Sequence, residues 1–105
     1  MAKDIKVDEL KQKMDNGDSV VLIDVREPHE HEAFNIGGKL IPVGNLFNRM
    51  DEIEDHKETE VVVYCRSGQR SGVAKTLLER AGFKNVRNLL GGMLDWADHY
   101  GNGQK

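Results

Sequence analysis

The sequence predicts an α/β fold of three layers, with a central parallel sheet of about five strands and helices on both faces. Three observations predict it. Short β-branched runs such as Val20–Ile23 and Val61–Tyr64 lack polar alternation, as strands covered on both faces do. Stretches with helical spacing fall between those runs. A length of 105 residues suits one domain and leaves no room for a second.

The elements follow in chain order. Ile5-Lys6-Val7 reads as a weak edge strand. Asp8 can cap a first helix in which Leu10 and Met14 are four apart, with Gly17 after its end. Val20–Ile23 is a buried strand. Pro28 fits the first turn of a short helix running to Phe34, because its missing N–H costs nothing there. Leu40-Ile41-Pro42 is another short strand. Leu46, Met50 and Ile53 recur at helical spacing. Val61–Tyr64 is the most apolar strand. Val73, Ala74, Leu77, Leu78 and Ala81 form an apolar helical stripe ended by Gly82. Val86 with Leu89-Leu90 is a further strand, and Gly91-Gly92 precedes a last helix carrying Met93, Trp96 and Ala97. Trp96 is assigned to core packing. No repeat is visible. The domain is expected over 1–100, with 101–105 a frayed tail.

Composition narrows the function. A net charge of −3 argues against a nucleic-acid partner, which selects for a basic excess. No apolar run approaches the ~18 residues of a spanning helix, so no membrane partner is expected. Met1-Ala2-Lys3-Asp4 opens without an apolar signal region, and a cytoplasmic location is expected. The single cysteine excludes an intramolecular disulfide and suits a reducing compartment.

That cysteine carries the chemistry. Val61–Tyr64 ends at Cys65, and Arg66-Ser67-Gly68-Gln69-Arg70-Ser71-Gly72 follows before the helical stripe. The thiol thus stands at the carboxyl end of a strand and before a helix N-terminus, where open α/β sheets bind ligands. Consecutive N–H groups there can form an anion-binding nest, aided by the helix dipole. Helix N-termini and neighbouring arginines lower a thiol pKa from its usual value of about 8.5. A lone cysteine after an apolar strand is most often an inert small hydrophobe. The Arg-Ser-Gly-Gln-Arg-Ser that follows favours a reactive thiol instead.

Charge is distributed unevenly. Residues 51–60 carry six acidic side chains against Lys57. Residues 65–87 carry Arg66, Arg70, Lys75, Arg80, Lys84 and Arg87 against Glu79. An acidic chain so concentrates positive charge around its thiol, which would attract an anionic substrate.

Other signals are structural. Asp24 and Arg26 end a strand on the same sheet edge as the loop and are read as braces for it. His29 and His31 sit on a short helix among Glu30 and Glu32 and read as a solvated face. His56 and His99 have no evident partner, so no metal site is expected. Ser67 and Ser71 have no base beside them in the sequence. They are assigned to loop hydrogen bonding, with Ser71 as the N-cap of the following helix.

On these residues the chain resembles the single-domain rhodaneses, from about Ile5 to Tyr100. Asp24-Val25-Arg26-Glu27 resembles the family's D-V-R-E element. Phe34–Lys39 and Ile41–Leu46 resemble its G-H-I-P-G-A and I-P elements. Val61–Arg70 resembles the active-site loop, and Gly91-Gly92 with Trp96 the closing G-G-x-x-x-W. The resemblance implies a rhodanese-like three-layer fold and a sulfurtransferase without cofactor. Cys65 would be catalytic, taking sulfane sulfur as a persulfide from thiosulfate or a protein persulfide and passing it to cyanide or a thiol. Arg66, Ser67, Gly68, Gln69, Arg70 and Ser71 would bind the substrate anion, with Arg70 matching the family's loop-end arginine, and Asp24 and Arg26 would support the site. A monomer is expected.

Two other readings stand beside this one. The first is a protein-interaction or sulfur-relay module with little activity on free thiosulfate. The second is a phosphatase or arsenate reductase. Those enzymes use C-x5-R, whereas Cys65 to Arg70 is C-x4-R, a tighter cradle suited to one sulfur. The chain also departs from the family pattern. Phe34-Asn35 replaces the usual Gly-His, and Gly37 stands where proline is common, so any imidazole role at position 35 is lost. Without a second cysteine, persulfide release needs an external acceptor.

Overall fold

A computed structural model describes residues 2–101. Helix α1 (Val7–Asn16) leads into strand β1 (Val21–Asp24), then helix α2 (Pro28–Ala33) and strand β2 (Lys39–Leu40). A 3-10 turn at Val43–Asn45 opens helix α3 (Leu46–Arg49), which continues as 3-10 turns over Met50–His56 with a kink at Ile53. Strand β3 (Val61–Tyr64), helix α4 (Gln69–Arg80), strand β4 (Val86–Asn88) and helix α5 (Gly92–Tyr100) complete the order.

The sheet is parallel, in the order β2-β1-β3-β4. Among the described residues it has four strands rather than about five. The expected edge strand at Ile5 shrinks to one bridge with Leu89, because Val7 already belongs to α1. That helix begins one residue before Asp8, with Lys6 at the N-cap and Asp8 in the first turn. There the carboxylate faces the positive end of the helix dipole.

Side chains of β3 alternate between two cores, as the two-residue period of a strand requires. Val61, Val63 and Cys65 pack with Leu46, Ile53, Ala74 and Leu78 under α3 and α4. Val62 and Tyr64 pack with Leu10, Met93 and Trp96 under α1 and α5. Val61, Val62 and Val63 are fully buried, as their unbroken apolar run predicts. Trp96 packs in the second core, 6% exposed. Gly101 follows α5, and the rest of the expected tail, 102–105, lies outside the described residues.

Alternation also places the thiol. Cys65 shares its face with Val63, so its side chain lies beneath the first turn of α4. That turn begins at Gln69, four residues before the apolar stripe that starts at Val73. Of that stripe Ala74 and Leu78 are buried on the sheet and Leu77 and Ala81 pack beside them, whereas Val73 is 57% exposed, against the expectation; the first turn faces the loop.

Candidate active site

Cys65 is 1% exposed at the carboxyl end of β3. Its Sγ accepts hydrogen bonds from the backbone N–H of Gly68 at 3.1 Å and of Ser71 at 3.4 Å. The Ser71 hydroxyl lies 3.3 Å from the same sulfur. Burial pushes the thiol up. The Ser71 hydroxyl and the N–H groups of Ser71, Gly68 and Ser67 outweigh that, and the net direction is down from the ordinary value. The loop therefore favours a sulfur anion.

Two glycines make the loop possible. Gly68, the N-cap of α4, has φ of 105°, in the left-handed region that glycine enters without strain. At Gly92 a Cβ would stand 2.5 Å from the Cys65 carbonyl oxygen and 2.6 Å from that of Arg66. Only a bare backbone lets the start of α5 press onto the loop. The contact is held by Met93 N–H donating to Cys65 O at 2.9 Å and Leu94 N–H donating to Arg66 O at 3.0 Å.

Ser71 is not the N-cap. It is the third residue of α4, fully buried, and its hydroxyl turns inward to donate to Asn88 Oδ1 at 2.5 Å. The orientation of that amide is set by its other end, where Nδ2 donates to the Gly68 carbonyl at 3.0 Å. Asn88 ends β4 beside β3, and nothing in its sequence context marked it.

The two arginines differ. Arg70 is bound by both carboxylate oxygens of Glu30 on α2, at 2.7 and 2.9 Å. The same pair, with the Glu27 N–H, holds the Glu30 carboxyl at about 2, well below its ordinary value. Arg66 is exposed and has no ion pair or side-chain hydrogen bond among the described residues. Between them Ser67, on the loop, and Gln69, the first residue of α4, are exposed.

Asp24 and Arg26 reach the loop through α2. Buried Asp24 takes Arg26 Nε at 2.9 Å and Nη2 at 2.8 Å, and Arg26 donates onward to the Phe34 carbonyl at 2.7 Å. His31 Nδ1 stands 2.8 Å from Asp24 Oδ2, so this histidine belongs to the brace and not to a solvated face. Burial raises the Asp24 carboxyl, but Arg26 and His31 bring it below its ordinary value. Asp24, Arg26 and His31 fix α2, and Glu30 on α2 then grips Arg70. Asn35 ends α2 by donating to His31 O at 2.9 Å and accepting from Gly37 N–H at 2.8 Å. No three His, Cys, Asp or Glu side chains cluster as metal ligands among the described residues.

This geometry can hold an anionic sulfur at a strand end, met by two backbone N–H groups on a residue that is 1% exposed. Known proteins resemble this chain in sequence and fold. The rhodanese-like domain family matches residues 6–99. A protein named "Sulfurtransferase" from Allochromatium vinosum is 37% identical over 105 residues, covering 94% of this chain and 92% of that one. "Putative sulfur carrier protein YrkF" of Bacillus subtilis is 37% identical over 94 residues, but this chain spans only 50% of its length. A Rhodanese-like Domain Protein from Staphylococcus aureus superposes with a TM-score of 0.82 at 31% identity, over 91% of each chain.

Proposed function

The chain belongs to the rhodanese-like domain family, whose members of this size include named sulfurtransferases, and on that premise we propose that Cys65 carries sulfane sulfur from thiosulfate or another persulfide to cyanide or a thiol. The observation that carries the proposal is the convergence of the Gly68 N–H, the Ser71 N–H and the Ser71 hydroxyl on one sulfur.

The steps balance without an oxidant or cofactor. The Cys65 thiolate attacks the outer sulfur of thiosulfate. A new S–S bond forms, the old one breaks, and sulfite leaves with its electron pair. The persulfide anion remains within the cradle of loop N–H groups. In the second half-reaction a deprotonated acceptor attacks the outer sulfur, and the electron pair returns to Cys65 Sγ. Arg66 draws in the donor, Arg70 and Glu30 hold the loop end, and Asp24 with Arg26 supports α2. The single thiol suits a reducing compartment such as the cytoplasm.

Intact-mass analysis after thiosulfate treatment tests this reading. A reducible gain of one sulfur on Cys65 is expected. Transfer to cyanide by Cys65→Ser as fast as by the parent would refute it.

The relative named as a sulfur carrier favours a second reading, a relay module loaded by a protein persulfide. Fast loading from a cysteine desulfurase with slow turnover of thiosulfate would select it. The phosphatase reading is weaker. The cradle is C-x4-R, and its arginine is already engaged by a carboxylate that a phosphate would have to displace.

A further inference from the structure

Ser71 and Asn88 meet beside the thiol, yet they belong to different elements, α4 and β4. Asp4 joins those two elements a second time. Its Oδ1 accepts the Asn88 backbone N–H at 3.0 Å and Lys75 Nζ at 2.6 Å. Lys75 lies four residues after Ser71, so both project from one side of α4. The contacts close a ring: Asp4 to Lys75, one helical turn to Ser71, across to Asn88, and back to Asp4. The Lys75 side chain is only 12% exposed, so this is not a loose surface pair.

The segment that carries Asp4 is itself pinned. Lys75 Nζ also donates to Ala2 O at 2.8 Å, and Arg87 Nε to Lys3 O at 2.8 Å. Ile5 N–H donates to Asn88 O at 3.0 Å, and Leu90 N–H to Ile5 O at 2.9 Å. Asn88 thus has its backbone N–H and carbonyl held from residues 4 and 5, while its side chain holds Gly68 O and the Ser71 hydroxyl. Burial raises the Asp4 carboxyl, but Lys75 and the Asn88 N–H bring it below its ordinary value. Lys75 on α4 and Arg87 on β4 are the charged groups that face it.

We infer that Asp4 is a positioning residue for the thiol: by tying β4 to α4 it keeps Asn88 against Ser71, and so keeps the Ser71 N–H and hydroxyl on Cys65 Sγ. The Ser71 N–H is the longer of the two backbone contacts to sulfur, 3.4 Å against 3.1 Å from Gly68. A small parting of α4 from β4 loses it first, because hydrogen bonds weaken with distance.

Asp4 acts through Asn88 and not by its charge, and the sign of the effect separates the two. A carboxylate acting through its field holds the thiol up, so removing it lowers the midpoint of thiol ionisation. A clamp holds that midpoint down, so removing it raises the midpoint. Only the consequence for sulfur loading rests on the sulfur-transfer reading; the effect on the thiol stands without it.

The test is the rate of Cys65 alkylation by iodoacetamide against pH, in the whole chain. Asp4→Ala should raise the midpoint by about half a unit and slow loading from thiosulfate about three-fold, a modest change because it is passed on through Asn88. Asp4→Asn keeps an oxygen for the Asn88 N–H and should restore most of both. In the Asn88→Ala background, Asp4→Ala should shift nothing further.

A midpoint unmoved by Asp4→Ala, with only the melting temperature lowered, would overturn the inference. So would a midpoint lowered in both Asp4 variants, the mark of bare charge. If Asn88→Ala fails to fold, the comparison of Asp4→Ala with Asp4→Asn decides by itself. Alkylation needs no sulfur transfer, so a raised midpoint in protein that thiosulfate never loads would keep the clamp and sink the transfer reading instead.

Discussion

Ser71 gives its one hydroxyl proton to Asn88 Oδ1 across 2.5 Å while standing 3.3 Å from Cys65 Sγ. A hydroxyl has one proton and here two acceptors. While Cys65 is a thiol, its S–H can donate to Ser71 and Ser71 to Asn88, so every group is satisfied. Once Cys65 ionises, the sulfur competes with Asn88 for that proton. Asn88 cannot turn to help, because Gly68 O holds its Nδ2. The two backbone N–H groups, whose direction is fixed, therefore form the constant part of the anion site, and Ser71 the adjustable part.

Ser71→Ala should raise the pH midpoint of Cys65 alkylation and slow sulfur loading by about ten-fold, the size of one hydrogen bond to a charged group. Asn88→Asp should move the midpoint in the same direction, since a carboxylate claims the Ser71 proton and adds a like charge. Alkylation rate against pH measures both. A midpoint unchanged in Ser71→Ala would show that the backbone alone sets the thiol.

The Glu30–Arg70 pair should make stability depend on acid. Glu30 titrates at about 2 folded, against 4.5 ordinarily, because Arg70 bonds its carboxylate. A folded value below the unfolded one means the pair stabilises above pH 4.5 and loses that contribution as pH falls toward 2. The pair is partly exposed, so its worth is about 1 kcal/mol. Urea midpoints of the parent and Glu30→Gln should differ at pH 7 and converge near pH 2. Asp24 also titrates low, but it is present in both proteins and cancels in the difference.

Gly92→Ala should damage both fold and site. The new Cβ meets the carbonyls of Cys65 and Arg66, backbone that cannot swing away, at a cost of about 2–3 kcal/mol. Thermal melting and loading rate should both fall. Gly44→Ala, where no heavy atom lies within 4 Å, should leave both near the parent.

Asn35 tests whether the family's histidine is missed. Its side chain closes the end of α2 with two hydrogen bonds. Asn35→Ala should cost about 1 kcal/mol in stability. Its sulfur loading at 25 °C, followed by intact mass, should match the parent. A loss of loading out of proportion to the loss of stability would assign Asn35 a part in the chemistry.

Much of the fold is legible locally. The run Val61-Val62-Val63 reads as a doubly covered strand, and the two cores on its two faces follow from side-chain alternation. The weak strand at Ile5 and the helix cap at Asp8 read less well. There a single bridge and a two-residue shift of the cap, from Asp8 to Lys6, separate two states that differ little in local energy. The start of α4 was hidden for a different reason. Its first turn is polar, because it faces the thiol and not the core, so apolar spacing is silent there.

The order of the chain by itself determined that one thiol would stand at a strand end before a helix, as the first of a six-residue cradle that holds two arginines, Arg66 and Arg70. Hydrophobic periodicity and glycine placement are local properties, and they suffice for that. Only the tertiary structure decided which arginine is free. Glu30 and Arg70 are 40 residues apart and meet because Asp24, Arg26 and His31 dock α2 against the loop. Asn88, Ser71 and Cys65 likewise meet because β4 lies beside β3. Ion pairing and hydrogen bonding act over a few ångströms in space, whatever the distance along the chain, so no local pattern carries them.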